Sequence, residues 1–144
     1  MNTESQPSRT LYGIQTRTSN ATPHEIAALW QRFMTEGLAD EIPERANDQL
    51  IAAYFDYQGD HTQPYTFFLG CEVIDVDCAP DGFALRSLPA GRYAAFQARG
   101  PMPATLIETW QQIWHSELPR SYVADFEVHD PAKPDEVAIY VGVQ

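Results

Sequence analysis

What this chain has least of is positive charge. Lysine and arginine together number 9 against 20 aspartates and glutamates, a formal charge of -11 over 144 residues. The few basic residues are scattered, so a phosphate backbone finds no basic face and is repelled. The same field concentrates cations, small organic ones included, near the surface. Long apolar runs are also missing. Met1 to Thr10 has neither the basic start nor the apolar stretch of a signal peptide, and nothing later approaches the length of a membrane span. Cysteine is scarce: Cys71 and Cys78 have no CxxC spacing and no disulfide framework around them. Two reduced thiols in a cytoplasmic protein are expected.

Several catalytic signatures are absent as well. There is no HExxH and no Cys/His ligand spacing, no GxSxG elbow, no phosphate-cradling glycine loop and no GxGxxG. These absences argue against the common metal, hydrolase, nucleotide and dinucleotide sites; no metal and no cofactor are expected. His24 and His115 are expected near helix ends in solvent, and His61 in a turn. His129 is expected to be exposed, although it shares a strand face with Glu127 and could bond to it. Cys71 reads as a buried apolar thiol rather than a nucleophile.

At 144 residues the chain is large enough to bury roughly 70% of its unfolded surface as one domain. Residues 1–8 read as a flexible tail and residues 9–144 as a single binding domain. Thr22 before Pro23 supplies N-cap chemistry, proline fits the first helical position, and Glu25 faces the positive helix end. The spacing predicts a helix from Pro23 to about Glu36, with Ile26, Leu29, Trp30, Phe33 and Met34 as its core stripe. A second helix is predicted from Pro103 to about Glu117, striped by Leu106, Ile107, Trp110, Ile113 and Trp114. Strands are predicted at Arg9 to Thr18, Gln49 to Tyr57, Tyr65 to Ile74, Arg92 to Arg99, Tyr122 to Asp130 and Glu136 to Val143.

The element order repeats: strand, proline-initiated helix, strand, strand, over about residues 9–78 and again over about 83–144. Pro23 matches Pro103, Trp30 matches Trp110, and Phe68 matches Tyr140. Ala53, Phe55 and Asp56 are laid beside Ala124, Phe126 and Glu127, and Gly70 beside Gly142. The fold class expected is α+β: duplicated βαββ units with pseudo-two-fold symmetry, an antiparallel sheet, two helices on one face and a ligand groove on the other. In Tyr122 to Asp130, alternation puts Phe126 on a core face and Glu127 on the opposite one. Asp56 and Glu127 would then face one groove, with Tyr54 beside Asp56 and Asp125 beside Glu127. Tyr54, Tyr57, Tyr65, Phe67 and Phe68 form an aromatic-dense hairpin, part sheet cluster and part groove wall.

Leu88-Pro89-Ala90-Gly91-Arg92-Tyr93-Ala94-Ala95-Phe96, Tyr65 to Val73, Glu108 to Trp114 and Asp125-Phe126-Glu127-Val128 together resemble the gyrase-inhibitor-like small-molecule-binding family. That family includes effector-binding domains of AraC-type and MerR-type multidrug regulators, and stand-alone members, some carried on integron cassettes. The resemblance runs from about Arg9 onward. It implies a groove between the two halves and a glutamate in the penultimate strand, here Glu127, that meets cationic, aromatic, drug-like ligands. Tyr140 and Trp110 match positions bordering that groove; Trp110 could equally be core. No helix-turn-helix is present, so a role at DNA would need a separate regulator partner, and a homodimer is open.

The expectation is thus a cytoplasmic, stand-alone binder of small cationic aromatic molecules, anchored by Glu127 and walled by Tyr54, Phe68, Trp110 and Tyr140. Because some relatives of this fold are hydrolases, Glu127 as general base, helped by Tyr54 or Tyr140, is the enzymatic alternative. An effector-sensing subunit for a separate transcriptional regulator is another.

Overall fold

The computed structural model of the chain describes residues 3–144. In chain order the elements are β1 (Thr3–Gln6), β2 (Arg9–Thr18), α1 (Pro23–Thr35), β3 (Leu50–Phe55) and β4 (Tyr65–Val73), then β5 (Ala84–Leu88), β6 (Gly91–Arg99), α2 (Ala104–Trp114), β7 (Arg120–His129) and β8 (Glu136–Val143). A single antiparallel sheet joins all eight strands in the order β1-β6-β8-β7-β3-β4-β2-β5. That order is symmetric about the β7–β3 pair: β6, β8 and β7 on one side answer β2, β4 and β3 on the other. The duplicated, helix-bearing antiparallel sheet expected from the sequence is therefore what the chain forms.

One expectation about the termini is corrected. Thr3–Gln6, placed in a flexible tail, is an edge strand in register with β6, Thr3 opposite Ala94 and Gln6 opposite Gly91. Met1 and Asn2 lie outside the described residues. An edge strand is held mainly by backbone hydrogen bonds on one side, so a polar segment can form one without an apolar pattern. Its counterpart in the second half is β5, which pairs with β2. Each half thus lends its first strand to the edge of the other.

Both helices pack on the same face, and only part of each predicted stripe is core. Leu29 and Phe33 of α1 are buried with Tyr12, Ile14, Phe67 and Leu69; Trp110 and Ile113 of α2 are buried with Ala98, Val137, Ile139 and Val141. Each such full burial contributes roughly 2–3 kcal/mol. Met34 and Ile107, by contrast, are more than half exposed. Thr22 does stand at the N-cap of α1, but its hydroxyl donates to the Ser19 carbonyl rather than capping the helix.

The opposite face carries neither α1 nor α2, and its side chains fill the curl of the sheet. Leu11, Ile51, Ala53, Phe55, Phe68, Tyr93 and Phe126 form a closed cluster there. Strands β2 and β4 pass so close at Gly13 and Gly70 that a Cβ on Gly13 would lie 2.1 Å from the Leu69 carbonyl oxygen. Only glycine permits that approach. The expected division, helices on one face and groove on the other, is corrected accordingly: the opening lies on the helix face, between α1 and α2.

Candidate functional site

The floor of the opening is made by β3 and β7. A register irregularity between Arg120 and Asp125 of β7, with Tyr122 at φ 54°, precedes a regular run. In that run Asp125 lies opposite Tyr54, Glu127 opposite Ala52 and His129 opposite Leu50. Period-two alternation then carries all three polar side chains to the helix side. Ala52, the small residue facing Glu127, leaves room for the carboxylate. Above this floor, α1 contributes Ile26 and Trp30, and α2 contributes Leu106 and Trp110, to the walls of a cavity of about 970 Å³.

Glu127 is 1% exposed. Its Oε2 accepts hydrogen bonds from the Tyr54 hydroxyl at 2.7 Å and from Trp110 Nε1 at 2.6 Å, and Oε1 is 2.8 Å from His129 Nε2. Tyr54 and Trp110 are neutral, and His129 carries charge only when protonated. Burial, followed by the negative charge of Glu127 and the bond to it, pushes the Tyr54 hydroxyl well above the usual tyrosine range. Tyr54 therefore remains a donor across the physiological range.

Asp125, two residues earlier on the same face, is bound differently. It is 0% exposed, receives Arg120 Nη2 at 2.7 Å and the Gly142 backbone N–H at 2.9 Å, and also accepts from the Tyr57 hydroxyl. Burial pushes its carboxyl up, and Arg120 and these hydrogen bonds oppose that push. This carboxylate has a protein cation of its own.

Of the residues expected to form the site, Glu127, Tyr54 and Trp110 are brought together and three are not. Asp56 lies past the end of β3 at φ 53°, half exposed and ion-paired to Arg86 at 2.9 Å. Phe68 is 0% exposed and packs edge-on against Phe55 on the opposite face. Tyr140 is on that face too, stacked on Phe126 at 4.7 Å. The register gives the reason. Phe68 pairs with Ala53 and Tyr140 with Phe126, so if Phe68 and Tyr140 are equivalent, Glu127 corresponds to Tyr54 and not to Asp56. The repeat alignment of these strands was two residues out.

Other groups enter unannounced. Trp30, assigned to the core, lines the cavity and meets the His129 ring at 4.8 Å. Its signal was present: it is the repeat mate of Trp110. His129 bonds to Glu127 rather than pointing to solvent, and His61 lines the cavity with its ring stacked on Trp114. His24 and His115 are exposed. Cys71 is buried, which pushes its thiol up, away from the nucleophilic form. Among the described residues no three His, Cys, Asp or Glu side chains gather as metal ligands would, and no helix is long and apolar enough to cross a membrane.

This fold agrees with the comparisons. Residues 3–143 match the family model described as Cass2, integron-associated effector binding protein. The chain belongs to that family. A candidate transcriptional regulator of Bacillus subtilis (strain 168), YobU, is 32% identical over 144 residues, covering 92% of this chain and 90% of that one. Among solved structures, the integron cassette protein VCH_CASS2 from the mobile metagenome of Vibrio cholerae superposes with a TM-score of 0.82 at 23% identity, covering 99% of this chain and 95% of the other. SAV2435, solved bound to tetraphenylphosphonium, superposes with a TM-score of 0.80 at 16% identity, covering 99% and 93%. At those identities the two structures establish the shared fold. Membership in the Cass2 family bears out the resemblance to integron-borne effector-binding proteins that the sequence carried.

Proposed function

We propose that this Cass2-family chain is a cytoplasmic binder of small amphipathic cations with aromatic groups, held between α1 and α2 with the positive centre at Glu127. The observation that carries this reading is the state of Glu127: a buried carboxylate on the floor of an apolar cavity, bonded to two neutral donors and one histidine. An anion removed from water without a permanent counter-charge is poorly compensated, and a ligand cation offsets that cost. Trp30 and Trp110, one from each repeat, line the cavity and supply aromatic and apolar area for such a ligand. The -11 formal charge draws cations toward the opening. The effector-binding description of the family and the tetraphenylphosphonium held by SAV2435 support the same class of ligand.

Binding is favoured over the hydrolase alternative because three hydrogen bonds already occupy Glu127, leaving one of about four acceptor sites for a water it would have to deprotonate. The test is a fluorescence titration of a planar cationic dye against wild type and Glu127→Gln. A loss of tenfold or more, about 1.4 kcal/mol, is expected for the variant. Equal affinities would remove the anchor, and no binding to wild type would sink the class.

A further inference from the structure

Besides Glu127 the cavity wall carries Arg120, Asp130, Lys133 and Glu136, and of these Arg120 is buried with only part of its hydrogen-bonding capacity used. Arg120 is 7% exposed and belongs to the cavity wall. Its Nη2 serves Asp125 at 2.7 Å and stands 3.5 Å from the Tyr57 hydroxyl. Nε and Nη1 are buried without a partner among the described residues. The guanidinium lies over the Tyr122 ring, 4.4 Å from its centroid. His61, also on the cavity wall, has a buried Nδ1 that lacks a protein partner. Its imidazole is held toward the neutral form first by burial and then by the charge of Arg120. Folded proteins rarely leave buried donors unpaired, and guanidinium donors are among the costliest to leave so.

We infer that this end of the cavity is a subsite for a carbonyl or carboxylate oxygen of the ligand, received by Arg120. The inference rests on the cation reading of Glu127 and narrows it: the ligand carries a positive centre and, some distance from it, an oxygen acceptor. The spacing follows from the strand. Glu127 and Asp125 are two residues apart, roughly 7 Å along β7, and Arg120 lies on the far side of Asp125 from Glu127. An elongated molecule with the two groups about 7 Å or more apart spans both poles. A carbonyl or carboxylate meeting the guanidinium makes a charge-assisted hydrogen bond, about twice as strong as a neutral one.

Three dyes on one bis(dialkylamino)phenylxanthylium scaffold, whose amino groups keep the cation from adding water, test this: the cation with an unsubstituted phenyl ring, and the same cation with a carboxamide or a carboxylate at the para position of that ring. With wild type, at least one oxygen-bearing dye is expected to bind about tenfold or more tighter than the unsubstituted cation. That dye should also shift the Arg120 Nε–H resonance, which the unsubstituted cation should leave in place. Arg120→Lys keeps a cation beside Asp125 but lacks the fork, and is expected to erase the preference while still binding the unsubstituted dye. If the lysine variant does not fold, the wild-type affinities and the resonance decide alone. Equal affinities for all three dyes, an unmoved resonance, or a preference that survives in Arg120→Lys would overturn the subsite. Loss of the unsubstituted dye in Glu127→Gln reports separately on the cation pole, and failure of every dye to bind wild type would overturn both readings.

Discussion

Asp125 and Glu127 are two buried carboxylates on one strand, on one face, two residues apart, and they do different work. Asp125 is matched inside the protein by Arg120, Tyr57 and the Gly142 N–H. Glu127 is surrounded by donors but has no permanently charged partner among the described residues. A buried charge that is fully paired holds the fold, since removing either partner strands the other. A buried charge left without a counter-ion is poised for one that comes from outside. The contrast between structural and functional carboxylates thus rests on who supplies the cation, not on burial, which is nearly the same for both.

The sharpest way to break the comparison is to remove Asp125. Asp125→Ala leaves Arg120 buried and uncompensated, and a loss of about 3–5 kcal/mol is expected in denaturant unfolding; a stable variant would mean the pair is not structural. Alkaline pH probes the tyrosines attached to the two acids. Tyr54 and Tyr57 are held well above the ordinary range by burial and then by Glu127 and Asp125 respectively, and burial pushes neighbouring Tyr65 up to about 12. Raised folded-state values mean that the native chain keeps these protons after the unfolded chain releases them near pH 10. Stability present below about pH 10 should therefore fall as pH rises toward 12, by roughly 2 kcal/mol for Tyr65 alone. A flat unfolding free energy across that window would contradict their burial.

Smaller effects sharpen the contrast. Tyr57→Phe and Tyr54→Phe each remove one hydroxyl donor from a buried carboxylate, at a cost near 1 kcal/mol of stability apiece. Only Tyr54→Phe should also change cation affinity in a dye titration; equal effects of both on binding would erase the distinction between the two acids. Smallest of all, Asp56→Ala loses a half-exposed ion pair and should shift stability by no more than about 0.5–1 kcal/mol. It should leave dye affinity unchanged, and a weakened affinity would return Asp56 to the site.

The helices were legible because their signals are local: Pro23 and Pro103 mark the starts, and apolar residues recur every third or fourth position. Alternation around Phe126 puts Glu127 on the face opposite the core, where a strand carboxylate most often simply meets solvent; it was the family resemblance that singled Glu127 out. What failed depended on pairing between distant strands. A side chain's face relative to the neighbouring strand changes with a one-residue slip, and nothing near Phe68 or Tyr140 in the chain fixes that register. Asp56 failed because β3 ends one residue earlier in a left-handed turn. Trp30 and Phe33 follow one apolar stripe, yet one walls the cavity and the other is core, a division set by how far apart the helices dock. Thr3–Gln6 was missed because an edge strand held by backbone bonds needs no apolar pattern.

The central claim, that Glu127 awaits a cation from outside, is tested most directly by two ions of nearly the same shape and opposite charge. Tetraphenylphosphonium and tetraphenylborate should be titrated calorimetrically against wild type and Glu127→Gln at one ionic strength. The account predicts that wild type binds the cation at least about tenfold more tightly than the anion, and that Glu127→Gln narrows the gap mainly by weakening the cation. Equal affinities of the two ions for wild type, or a gap untouched by Glu127→Gln, would contradict it.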